Sequence, residues 1–88
     1  MNRFNIGDRV SWVSKGKGQR LKKIGVVRYI IPEGVPVKRT FGESRHNRLR
    51  FNPKEGLRDH ESYVVEVERL GRLPLLYHPR VQHLKLAK

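Results

Sequence analysis

The chain has 88 residues and a mass of 10.4 kDa, and 20 Lys plus Arg against 8 Asp plus Glu give it a formal charge of +12. That length buries one small core, and no apolar run approaches the roughly 20 residues of a membrane helix. The absence of cysteine removes disulfides, thiolate metal sites and a thiol nucleophile.

With 36% hydrophobic and 32% charged residues, the composition lies near the edge of independent folding. Each apolar side chain must therefore be used efficiently, or a partner must steady the fold. The opening residues Met1 to Asp8 lack an apolar signal core, which predicts a cytoplasmic protein with no membrane partner. A cysteine-free chain agrees with a reducing compartment.

Residues Arg9 to Ser14 alternate and are rich in β-formers, predicting a first strand. Ile24 to Ile31 is β-branched and aromatic and stops at Pro32, which cannot donate to a ladder. Tyr63 to Glu68 has the cleanest period of two, with Tyr63, Val65 and Val67 on one face and Val64, Glu66 and Glu68 on the other. A turn at Leu70-Gly71-Arg72 leads to Leu75-Leu76-Tyr77, a fourth strand. Pro79-Arg80-Val81 reads as a tight turn before a short closing strand, His83 to Leu86. No window of a dozen residues carries a helical apolar pattern.

Between the second and third strands lies a long segment, residues 32–60, punctuated by Gly34, Pro36, Gly42, Pro53 and Gly56. Within it, Val35 to Lys38 and Leu49 to Phe51 are a candidate hairpin arm. Five short strands in so small a chain predict an all-β, closed or nearly closed barrel, since closure removes sheet edges. Val10, Trp12, Val27, Tyr29, Val65, Val67, Tyr77, Val81 and Leu84 are the expected core.

The positive charge is unevenly spread. Residues 1–31 carry eight bases and one acid (+7), residues 32–60 seven and four (+3), and residues 61–88 five and three (+2). Its densest part is Lys15-Gly16-Lys17-Gly18-Gln19-Arg20-Leu21-Lys22-Lys23, read as a basic loop. Glycines let the backbone approach a partner closely, and spaced cations can follow a phosphate chain. A solvated loop that merely confers solubility is the plainer reading. A charge of +12 on so short a chain favours a polyanion.

A second cluster, Lys38, Arg39, Arg45, Arg48 and Arg50, is interleaved with Phe41, His46 and Phe51. Arginine forks suit phosphates and guanine edges, and exposed Phe41 and Phe51 would stack on unpaired bases. The alternative for these aromatics is that they pin the arm to the barrel. Asp59-His60-Glu61-Ser62 offers an acid, a base and a hydroxyl, but neighbours in sequence do not converge, and a structural role is expected. The four histidines have no metal-ligand spacing, and there is no phosphate-binding glycine motif, so neither a metal nor a cofactor is expected.

Ile6-Gly7-Asp8-Arg9-Val10 resembles the hydrophobic-Gly-Asp-x-Val opening of KOW, Tudor and related SH3-like barrels, and Lys23-Ile24-Gly25-Val26-Val27 resembles the x-x-G-x-V step of KOW motifs. Pro79-Arg80-Val81 falls where such barrels place a 3₁₀ turn. The resemblance covers residues 5–31 and 61–86. Gly7 to Ser14, Asp59 to Val65 and Tyr77 to Val81 together resemble small bacterial proteins of that architecture with no assigned activity. What is implied is a single SH3-like five-stranded barrel domain over residues 1–88, with residues 32–60 as a basic insertion. The expected function is non-enzymatic nucleic-acid binding, with RNA preferred over DNA because KOW-type barrels serve ribonucleoproteins. Protein subunits of a nucleoprotein assembly are further expected partners. Phosphates would be met by Lys15, Lys17, Arg20, Lys22 and Lys23, and the strand clamped by Lys38, Arg39, Arg45, Arg48 and Arg50. A barrel that docks an acidic protein surface is the alternative.

Overall fold

The structure, a computed structural model, describes residues 3–16, 18–37, 49–51 and 58–87, with backbone alone at residues 14–16 and 19. Five strands follow in chain order: β1 (Arg9–Gly16), β2 (Gln19–Ile31), β3 (Ser62–Arg69), β4 (Arg72–Tyr77) and β5 (Lys85–Leu86). A 3₁₀ turn, Val81–His83, precedes β5. The protein is all-β, and the described residues include no α-helix. The strands form one antiparallel sheet in the order β4-β3-β2-β1-β5, so β4 and β5 end the sheet and do not pair with each other.

The expected basic loop is largely strand. β1 and β2 stay in register to the pairs Lys15 with Arg20 and Gly16 with Gln19. Gly18, in the short connection, has φ +79°, a conformation such connections require and most side chains resist. The second connection, Leu70-Gly71, works the same way, with Gly71 at φ +70°.

Two apolar clusters lie on opposite faces of the sheet. The inner one unites Val10, Trp12, Val27, Tyr63 and Val65 with Phe4, Val81 and Leu84, while Ile30, Val67 and Tyr77 pack partly buried against it. The alternation of β3 is as expected: Tyr63, Val65 and Val67 face inward. Val64, on the other face, is also fully buried, because a second cluster of Ile31, Val37, Leu49, Phe51 and Leu76 covers it. The insertion supplies this cover. Leu49 bridges Leu76 in parallel, and the Arg50 amide donates to the Leu76 carbonyl at 2.8 Å. The arm expected from Val35 to Lys38 pairing with Leu49 to Phe51 is therefore replaced, over the described residues, by docking of residues 49–50 against β4. Val37 joins Leu49 and Phe51 in the same cluster.

Tyr29 is a correction. It was expected in the core with Val27, and it is 39% exposed. The β2–β3 register shifts between Val27, opposite Val65, and Tyr29, opposite Val64. This bulge at Arg28 inserts one residue and reverses the parity that follows. Ile30 then turns inward and Ile31 outward, each into its cluster.

β2 passes β3 very closely. A Cβ on Gly25 would lie 2.5 Å from the Glu66 carbonyl oxygen and 2.6 Å from Val65 Cγ1. Only glycine fits there, so the Gly25 of the sequence pattern is a packing requirement. The N-terminal segment is held by the Gly7 amide on the Val27 carbonyl (2.8 Å) and the Val27 amide on the Asp8 carbonyl (2.9 Å). Phe4 packs edge-on to Tyr63, with centroids 5.2 Å apart. The Tyr63 hydroxyl accepts from the amides of Arg3 (3.0 Å) and Phe4 (3.4 Å) and donates to Glu61 Oε1 (2.6 Å). Arg3 and Phe4 are thereby fixed against Tyr63 of the inner cluster.

Candidate functional site

Residues paired across a ladder share a face, so register sorts the cations. On the outer face of the β1–β2 hairpin stand Arg9 opposite Val26, Ser11 opposite Ile24, Val13 opposite Lys22, and then the backbone pair Lys15 with Arg20. β5 adds Lys85, opposite Ser11. The side chains of Arg9, Arg20, Lys22 and Lys85 are exposed. Among the described residues none of these four has a carboxylate at ion-pair distance. Glu66, which follows across the sheet opposite Val26, is held by Arg28 at 3.2 Å.

Lys23 belongs to the other face. It lies opposite Trp12, and its Nζ sits 5.0 Å above the Tyr77 ring. Trp12 meets that ring edge-on at 5.6 Å. Cation–π contact gives Lys23 a structural partner that Lys22 lacks. The nine-residue basic run is thus split by strand geometry, with Arg20 and Lys22 on one side and Lys23 on the other.

In the second cluster, Arg50 is exposed where its segment docks on β4. Phe51 is corrected from a stacking residue to a core residue. It is 8% exposed and meets His78 edge-on at 5.6 Å, pinning the insertion to the sheet. Lys17, Lys38, Arg39, Phe41, Arg45 and Arg48 lie outside the described residues, as does the Lys15 side chain. Arg9 and Lys85 belong to neither of the two basic clusters of the sequence. The alternation Arg9-Val10 already placed Arg9 on the outer face, whereas Lys85 joins through the β5–β1 pairing, for which the sequence carries no local signal.

A separate concavity lies between residues 58–60 and the 3₁₀ turn. This open groove of about 550 Å³ is lined by Arg58, Asp59, His60, Arg80, Val81 and Gln82. Its members have local partners. Arg58 donates to the carbonyls of His78 and Pro79, both at 3.1 Å. His60 Nδ1 meets Asp59 Oδ1 at 2.8 Å, a contact that holds the Asp59 carboxyl below its ordinary pKa.

Ser62 points away from them, its Oγ 2.8 Å from His78 Nε2. Asp59 and His60 thus pair with each other, whereas Glu61 accepts from the Tyr63 hydroxyl and Ser62 meets His78. His78 is buried, and its pKa falls to about 4, first from desolvation and then from the charges of Arg58 and His60. It is a neutral core residue near pH 7.

Among the described residues no cluster of three His, Asp or Glu could hold a metal ion, and no helix is long and apolar enough to cross a membrane. No family model matches this chain, and neither a curated protein nor a solved structure does.

Proposed function

We propose that this protein is a non-enzymatic nucleic-acid-binding module built on an SH3-like barrel, with RNA preferred over DNA, serving as an accessory subunit of a nucleoprotein complex. The barrel reading is supported by the meander order, by β5 returning to pair with β1 and by the 3₁₀ turn that precedes it. The RNA preference rests on the resemblance to KOW-type barrels.

One observation carries the functional reading. Arg9, Arg20, Lys22 and Lys85 share an outer face and, among the described residues, have no carboxylate partner, on a chain of net charge +12. Cations left unneutralised by their own protein make a favourable surface for a phosphodiester chain, whose binding releases condensed counterions. The hairpin that carries this face also carries the Lys15 backbone toward its tip, paired with Arg20.

The test is affinity for RNA across a salt series. Neutralising about five phosphates gives a slope of log K against log salt of roughly −3.5 to −4.5. A flat dependence overturns the reading. The second reading, docking to an acidic protein, draws on the half-exposed Val13 and Ile24 among these cations. It predicts partners that survive nuclease treatment of an affinity purification, whereas the leading reading predicts their loss.

A further inference from the structure

The outer hairpin face is more than cationic. Val13 is 46% exposed and Ile24 42%, and the register puts them diagonally beside each other, Val13 opposite Lys22 and Ile24 opposite Ser11. Two aliphatic side chains at the centre of a sheet face, half open to water, form a short apolar ridge. Arg20 and Lys22 flank it toward the hairpin tip, and Arg9 and Lys85 flank it toward the base. Successive same-face residues of a strand are about 7 Å apart, close to the step between phosphates of an extended single strand.

A ligand matched to this face carries negative charge at regular intervals and presents apolar surface between the charges. A duplex offers the charges but stacks its bases inside. A single strand offers both, since its bases can be splayed onto a protein surface while the backbone tracks the cations. An anionic membrane also combines charge with apolar matter. Interfacial binding, however, draws on a broad apolar face inserted below the headgroups, and this ridge is two side chains wide on an extended sheet.

We infer that the Val13–Ile24 ridge, bracketed by Arg20, Lys22, Arg9 and Lys85, is a single-strand-selective platform on which unpaired bases lie while the cations hold the phosphates. This inference rests on the nucleic-acid reading and adds to it the form of ligand and the side chains that select it. Charge alone does not distinguish a single strand from a duplex; the ridge does.

The experiment compares the full chain and a Val13→Ser/Ile24→Ser variant. The probes are a single-stranded oligouridine of about 12 nucleotides, within the usual range of site sizes, a blunt RNA duplex of the same length, and vesicles of mixed phosphatidylcholine and phosphatidylserine. Both substitutions are at exposed positions, and matched melting curves establish that the fold is retained. The platform predicts that the single strand binds the native chain at least tenfold more tightly than the duplex, on the order of 1.4 kcal/mol. It predicts that the variant loses about tenfold on the single strand with the duplex and the salt slope unchanged.

Equal affinity for strand and duplex, or a variant that binds the single strand normally, overturns the platform and leaves the nucleic-acid reading standing. Failure of both RNAs to bind at low salt overturns both. Tighter binding to the vesicles than to the oligonucleotide, reduced by the same substitutions, overturns the platform in favour of a membrane surface. If the two serines destabilise the fold, Val13→Thr alone, a near-isosteric change that adds one hydroxyl, is measured in the same three arms. The platform then requires a smaller loss confined to the single strand, and no loss overturns it.

Discussion

Gly25→Ala tests the close passage of β2 over β3. The substitution adds one methyl to a residue whose φ is ordinary, so conformational strain does not enter. The added Cβ would stand 2.5 Å from the Glu66 carbonyl oxygen and 2.6 Å from Val65 Cγ1, where ordinary contact begins at 3.4 Å. Relief therefore requires a displacement of 3.4 − 2.5 = 0.9 Å by the strand backbone. Val65 cannot move aside, because it is fully buried among the inner cluster. Overpacking a well-filled core costs about 1–3 kcal/mol. A clash with backbone belongs at the upper end, about 3 kcal/mol. In a domain of this size each kcal/mol lowers Tm by about 4–8 °C, so a fall of roughly 12–24 °C is expected.

Thermal melts followed by circular dichroism measure it, with Gly18→Ala as the comparison. Gly18 has open space around it but φ +79°, so alanine there costs about 1–2 kcal/mol of backbone strain. A Gly25→Ala protein that melts within a few degrees of the native chain, or above Gly18→Ala, refutes the packing argument.

Two further outcomes concern stability. His78 has a folded-state pKa of about 4 against an ordinary 6.5, so between these values the unfolded chain binds more protons than the native one. Its contribution is intact above pH 6.5 and is lost as pH falls toward 4. From about pH 7.5 to about pH 5 the loss is about 2 kcal/mol. Urea melts at the two pH values read it, and His78→Leu should largely flatten the difference; a His78→Leu protein with undiminished pH dependence contradicts the assignment. Tyr63→Phe leaves the Arg3 and Phe4 amides facing a ring edge and costs about 1–3 kcal/mol. Hydrogen exchange at those two amides should accelerate, and unchanged rates would mean that the hydroxyl does not hold the N-terminal segment.

How far the sequence revealed the fold depended on where the determining interactions lie. The strands with local alternation, above all Tyr63 to Glu68, were legible because one buried face imposes a period of two. The stop at Pro32 and the turn at Gly71 were legible because each has a local backbone cause. Tyr29 was misplaced because a bulge is set by the partner strand: nothing in Val27-Arg28-Tyr29 announces that one residue will be skipped. Phe51 was ambiguous between base stacking and packing, and it was resolved only by the second cluster, which brings together residues 31, 37, 49, 51, 64 and 76. The basic run stood out by composition alone. Its division into two faces required knowing that the strands persist to Gly16 and from Gln19, because alternation matters only where there is a ladder.

That division supplies the most direct test of the central claim. Lys22 and Lys23 are neighbours in sequence and stand on opposite faces, Lys22 opposite Val13 and Lys23 opposite Trp12. At about 0.15 M salt the screening length is about 8 Å, so charge on one face is largely shielded from a ligand on the other. The measurement is the RNA affinity of Lys22→Glu and Lys23→Glu proteins at that ionic strength, each checked for an intact fold. The account predicts a loss of about tenfold or more for Lys22→Glu, with Lys23→Glu staying within about threefold of the native chain. Equal losses from the two, or a greater loss from Lys23→Glu, would contradict the claim that the outer hairpin face is where the polyanion binds.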